Sequence, residues 1–327
     1  MSQNAPEPIR LADYTPYPFK IEKVHLPFRL DPEATRVIAD MQVTPFQPGA
    51  AMDLFGEDLE LVHDSHSLPK LTINGAEIYA EPLDETVAPY AKGIRIAAID
   101  IPDATFALRS EVQINPKANT ALEGLYMSNG MYSTQCEAEG FRRITYYPDR
   151  PDVMAPFTVR IESDAQVLLS NGNPTASGPG WAEWDDPWPK PSYLFALVAG
   201  DLVAHSDRFT TASGREVNLN IWVRPGDEHK CDYAMDALKR SMRWDEEVYG
   251  REYDLDVFNI VAVDDFNAGA MENKGLNIFN AKYVLASPET ATDRDYEFIE
   301  GIFAHEYFHH WTGNRITCRG WFQLCLK

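Results

Sequence analysis

Cysteine is scarce in this 327-residue chain: Cys136, Cys231, Cys318 and Cys325 are scattered, with no CxxC pair. That spacing argues against a disulfide framework and for a reducing, cytoplasmic setting. Long apolar runs are missing too. No window approaches the ~18 uninterrupted apolar residues of a membrane-spanning helix. The first thirty residues lack a basic stretch followed by an apolar one, so no signal peptide is read there. Basic residues are few: 29 Lys and Arg face 50 Asp and Glu, a formal charge of −21. Such a surface repels phosphate backbones and disfavours anionic lipid, so neither nucleic acid nor membrane is an expected partner.

Aromatics are not scarce. At 12% of the chain they exclude a disordered polymer. The length suggests about two domains and buries roughly three quarters of the unfolded surface, so folding requires neither disulfide nor metal.

The first two hundred residues read as strands. In residues 23–30, Val24, Leu26, Phe28 and Leu30 alternate with Lys23, His25, Pro27 and Arg29. Val37, Ala39, Met41 and Val43 repeat the rhythm over 35–43, the period of a strand with one buried face. Residues 70–78 carry Asn74-Gly75 between apolar residues, a signal for a type I′ hairpin. Val167–Ser170 runs into a second turn signal, Asn171-Gly172, and residues 157–161 read as a further strand. Short strands with turns between them predict an antiparallel sheet or sandwich. Residues 171–191, rich in Gly, Pro, Trp and Asp, read as loop, with Trp181, Trp184 and Trp188 packed within it.

After Gly200-Asp201 the pattern changes. Tyr233, Met235, Leu238, Met242 and Trp244 sit near helical spacing over Asp232–Tyr249. Val257–Val263 fits a buried strand. Thr292 or Asp293 is placed to cap a second helix with Tyr296, Ile299, Ile302 and Phe303 as its apolar stripe, running through His309. A β-rich part, 1–201, thus gives way to an α/β part, 202–327.

The strongest chemical signal is His305-Glu306-Tyr307-Phe308-His309, an H-E-x-x-H. On a helix its two histidines lie one turn apart on one face, and two imidazoles there suit zinc. Glu306 is placed to take a proton from metal-bound water. Chance would supply the pattern about 0.02 times in a chain of this composition. Thr312 and Arg315 stand where a metzincin needs Gly and His. His310 lies ~100° around the helix from His309 and reads as a packing or surface residue. A second cluster, Gly269-Ala270-Met271-Glu272-Asn273, joins small residues to a carboxylate after the buried strand. A third, residues 134–140, places Gln135, Glu137 and Glu139 in a strand-like context. Alone, each of these last two reads as an exposed turn or a solvated sheet edge. Cys136 beside Glu137 is no candidate nucleophile, because a neighbouring carboxylate raises a thiol's pKa.

Taken together, the clusters resemble the aminopeptidase N family of gluzincin zinc metallopeptidases, its bacterial members in particular. The likeness covers essentially the whole chain and is closest over 134–151, 193–201, 253–283 and 305–326. It implies a mixed fold: an all-β sandwich or saddle domain, then an incomplete α/β thermolysin-like catalytic domain. It also implies one Zn2+ held by His305 and His309, with Glu306 as general base. Glu272 would hold the substrate's α-ammonium, with Glu137 and Gln135 reaching into the same pocket. Gly269, Ala270, Met271 and Asn273 would line the bound peptide. The implied partner is a peptide with a free N-terminus, the enzyme acting as a monomer. The family's third zinc ligand, a Glu, falls at position 328, and its oxyanion tyrosine lies further on. A chain ending at Lys327 is therefore expected to be inactive. His310 and Gly320 depart from the residues usual in bacterial relatives. Two other readings compete: a peptide-binding module without catalysis, and an endopeptidase, against which the ammonium-trapping carboxylates argue.

Overall fold

Residues 9–63, 65, 70–83 and 92–327 are described by the computed structural model. The sequence reading of the N-terminus falls partly on residues 1–8, outside that range.

The two alternating segments form Phe19–Arg29 and Thr35–Pro45, paired antiparallel, with Val24, Leu26 and Phe28 turned inward. They sit inside a nine-stranded sheet among the described residues. Met154–Glu162 flanks Phe19–Arg29 in parallel, and Phe106–Ile114 flanks Thr35–Pro45 in antiparallel fashion. Asn74 (φ 51°) and Gly75 (φ 81°) make the expected turn between Leu71–Ile73 and Ala76–Glu77. Both central residues have the positive φ that a type I′ turn requires. At Asn171-Gly172 the chain instead crosses between sheets: Val167–Ser170 lies in a four-stranded sheet and Asn173–Gly178 in the nine-stranded one.

Residues 171–191 are not loop. Asn173–Gly178 and Trp181–Pro191 are paired strands at the sheet's edge. The prolines misled the sequence reading. Pro187 and Pro189 fall where the pairing with Met154–Glu162 shifts register between Ala155 and Phe157, so no ladder N–H is demanded of them. Trp184 packs into the core, while Trp181 and Trp188 are covered by Arg160 and Arg315.

Between the nine-stranded and four-stranded sheets lies a core centred on Phe141. Its ring meets Tyr147, Phe157 and Phe195 at centroid distances of 5.1, 6.0 and 5.2 Å. Edge-to-face contacts of this kind add ~0.5–1.5 kcal/mol each beyond burial. They anchor the segment that follows Glu137.

The second part is a five-stranded mixed sheet with Val257–Val263 at its centre, buried along its whole length. Val257, Val261 and Val263 join the first core, whereas Phe258, Ile260 and Ala262 face two helices. Burial on both faces removes polar alternation, which is why this segment reads as one apolar run. The helices are α1, Asp232–Tyr249, and α2, Asp293–Phe308. Thr292 caps α2 through a reciprocal box with Asp295. The helix ends one residue short of the expected His309, which serves as its C-cap. Ile299, Phe303, Glu306 and Tyr307 are its buried residues, while Tyr296 and Ile302 of the expected stripe are only partly covered. On α1, Trp244 is half exposed and lies outside the apolar stripe.

Asp245 on α1 is buried beside a groove of about 400 Å3 that Arg240, Trp244 and Glu300 also line. Burial alone pushes its carboxyl from 3.8 up to about 6. A folded value above the unfolded one means that its contribution is whole below pH 3.8 and lost as pH rises through 6. Two units correspond to ~3 kcal/mol, reduced to ~1 kcal/mol by water in the groove. Asp245→Asn is expected to raise the thermal midpoint at pH 7 and to leave it unchanged near pH 3.5.

Candidate functional site

Three segments far apart in the chain meet at one point. Helix α2 delivers His305, Glu306 and His309. Glu272 follows the short strand Ala270–Met271 at the edge of the second sheet. Glu137 follows Met131–Gln135 of the four-stranded sheet, in a turn rather than a strand.

The two histidine rings face each other edge to face, with Nε2 atoms 3.1 Å apart. Zinc bonds of ~2.0–2.1 Å in tetrahedral arrangement place two such nitrogens ~3.3 Å apart, so the pair fits a zinc ion. His309 Nδ1 lies 2.8 Å from the Thr312 carbonyl. Donation from Nδ1 leaves the Nε2 lone pair directed into the site. Gly313 makes this possible. It has φ +127°, and a Cβ there would lie 2.9 Å from His309 Nδ1. Ligand atoms of Glu272, Glu306 and His309 all lie within 4.8 Å of one another. His305 is not in that group and meets it through His309 Nε2.

Glu306 is buried, and its Oε2 has no hydrogen-bond partner among the described residues. Burial, reinforced by Glu272 and Glu137 against Lys327, pushes its carboxyl up to about 8. Burial and the neighbouring His309 lower His305.

The acidic pair is neither an exposed turn nor a solvated edge. Lys327 Nζ sits between the two carboxylates, 2.7 Å from Glu137 Oε1 and in contact with Glu272 Oε1. The Tyr193 ring lies 4.7 Å from the same nitrogen. Burial and Glu272 raise Glu137 against Lys327. For Glu272 burial is outweighed by His309 and Lys327, and its carboxyl is lowered. Gln135 donates through Nε2 to the Glu137 carbonyl at 3.1 Å, while its Oε1 is buried without a partner among the described residues. Cys136 is fully buried, and burial drives its thiol well up.

Met271 and Asn273 are buried, and both side-chain polar atoms of Asn273 lack a partner among the described residues. Gly269 and Ala270 lie partly open beside them. Among the described residues nothing demands glycine at 269, since a Cβ there would meet Ile302 and Tyr283 at an ordinary 3.5 Å. His310 is buried rather than at the surface. Burial first, then Lys274, pushes it down to about 4.

Sequence reasoning missed Lys327, Gly313 and Asn314, whose Nδ2 donates to the Glu272 carbonyl at 2.9 Å. A glycine four residues after the second histidine was the only available signal.

Comparison with known proteins places the chain as follows. The profile described as "Peptidase family M1 domain" matches residues 233–327, and "Peptidase M1 N-terminal domain" matches residues 66–194. Aminopeptidase N of Caulobacter vibrioides is 55% identical over 337 residues, covering 100% of this chain and 37% of the relative. Aminopeptidase N of Escherichia coli is 51% identical over 324 residues, covering 96% and 35%. Among solved structures, Legionella pneumophila aminopeptidase A in complex with aspartic acid matches with a TM-score of 0.87 and 34% identity. It covers 97% of this chain and 37% of its own. The chain thus spans a little over a third of the length of these relatives.

Proposed function

The chain belongs to peptidase family M1, and from that premise we propose that it is part of a zinc aminopeptidase releasing N-terminal residues from peptides. In this reading residues 1–201 supply the β-rich wall of the pocket, and 202–327 open the peptidase domain.

The observation that carries the reading is the seat of Lys327 Nζ. A primary ammonium is held by Glu137 and Glu272, two carboxylates on segments that leave separate sheets, beside the paired histidines. A substrate's α-ammonium carries the same charge and donors. Trapping it there leaves only the first peptide bond within reach of the metal, so chain-end cleavage follows from distance. A peptide bound this way takes the place of Lys327 Nζ, and an internal peptide bond brings no α-ammonium beside it to do so.

His305 and His309 would hold the zinc, which when bound supplies a Lewis acid and lowers the pKa of its water. In its ionised form Glu306 takes a proton from the attacking water and then returns it to the leaving amine. Glu272 and Glu137 orient the ammonium, and Gly269 and Ala270 offer open backbone along the peptide. The buried walls formed by Met271 and Asn273 exclude water from one side.

The test uses the complete protein and paired peptides, one with a free N-terminus and one Nα-acetylated. Cleavage of the free peptide alone is expected. Equal cleavage of both would overturn the proposal.

A further inference from the structure

We infer that Asp254 is a positioning residue that fixes the distance between the ammonium anchor at Glu272 and the histidine pair. The inference rests on the reading just given and adds a residue to it.

Asp254 lies in the segment between α1 and Val257–Val263. Its Oδ1 takes two partners, Lys274 Nζ at 2.6 Å and His310 Nε2 at 3.0 Å, and its Oδ2 takes Arg315 Nη1. Lys274 is two residues beyond Glu272, and His310 is the residue after His309. Both of their side chains are only 2% exposed. The Arg315 guanidinium is held in turn over Trp188, 3.7 Å from the ring centre. One carboxylate therefore joins the segment that carries Glu272 to the segment that leaves α2.

A second link joins the same two segments. Asn314 Nδ2 donates to the Glu272 carbonyl at 2.9 Å. Glu272 is thus gripped on both sides, at its own carbonyl and two residues on. Without the Asp254 carboxylate, Lys274, His310 and Arg315 would face one another with no anion between them. Lys274 has a long flexible side chain and, among the described residues, no other anion in direct contact, only His310 at 3.4 Å.

A buried ionic cluster is weak evidence for net stability, because desolvation offsets much of its attraction. What it supplies here is position, and position is what an enzyme that measures from ammonium to metal requires.

The experiment titrates leucinamide and Nα-acetyl-leucinamide into the complete protein by calorimetry, without and with zinc, alongside kcat and KM for a free-amine substrate. Wild type is expected to bind only the free amine. Asp254→Asn keeps shape and one acceptor while removing the charge. It is expected to weaken leucinamide binding about tenfold and raise KM similarly, with zinc content unchanged. Lys274→Met, which removes the cation rather than the anion, is expected to show the same signature and covers the case in which Asp254→Asn folds poorly. Unchanged binding and KM in folded Asp254→Asn or Lys274→Met, with kcat falling only with the folded fraction, would overturn the inference. Binding of both amides by wild type would instead overturn the ammonium-pocket reading on which it rests.

Discussion

Glu306→Gln in the complete protein is expected to lower kcat for peptide hydrolysis by about 10²–10⁴-fold while leaving zinc content unchanged. The expectation follows from geometry. His305 and His309 converge through Nε2 without help from Glu306, so removing the carboxylate charge leaves the pair intact. Glu306 is buried with one oxygen unpartnered among the described residues, poised toward the point where Glu272 and His309 also meet. Gln has the same shape and still offers an acceptor, but it cannot hold a proton between two steps. Steady-state kinetics with metal analysis on the same sample separates the outcomes. Retained zinc with unchanged kcat would remove Glu306 from proton transfer. Loss of zinc would make it a ligand instead.

Much of this site was legible because its signals are local. H-E-x-x-H needs only one helical turn to become a pair of facing rings, and Thr292 marks where that helix starts. Val257–Val263 and Asp232–Tyr249 matched the structure residue for residue, since each has a pattern set by its own burial. The edge strand Trp181–Pro191 was lost because propensity outweighed pairing in the reading. Prolines look like loop until a partner strand places them at a register shift. Trp244 falls at helical spacing with the apolar stripe yet is half exposed, because spacing alone cannot say which face a broad helix buries. Asp254 and Lys327 carried no local signal at all. Each acquires meaning from partners far along the chain, and a lone Asp or Lys in sequence is by default a solvated charge. The carboxylates Glu137 and Glu272 stood between these cases. Their types were readable, but their meeting depends on how two sheets are set together around the core shared by Phe141 and Val261.

Lys327→Met in the complete protein is expected to cost ~3–5 kcal/mol of local stability where the two parts of the chain meet. The Lys327 side chain is 7% exposed, and those of Glu137 and Glu272 are 22% and 5% exposed. Met replaces the stem and its packing on Tyr193, so the loss isolates the charge. It leaves a buried Glu272 facing a partly exposed Glu137 without the ammonium between them, and that penalty drives the change more than any forfeited attraction. Amide exchange around residues 134–140 and 270–275 is expected to accelerate about 10²-fold or more, since ~1.4 kcal/mol is a factor of ten. The sign of the pH dependence is fixed by the same pair. Without Lys327 at least one carboxyl of the pair has a folded pKa above its unfolded 4.5. The destabilisation is then full at neutral pH and shrinks as pH falls through that folded value, because a protonated carboxyl needs no cation. Lys327→Arg keeps the charge and should recover most of the protection. Exchange unchanged in Lys327→Met would mean that the ammonium is not what holds the two carboxylates together.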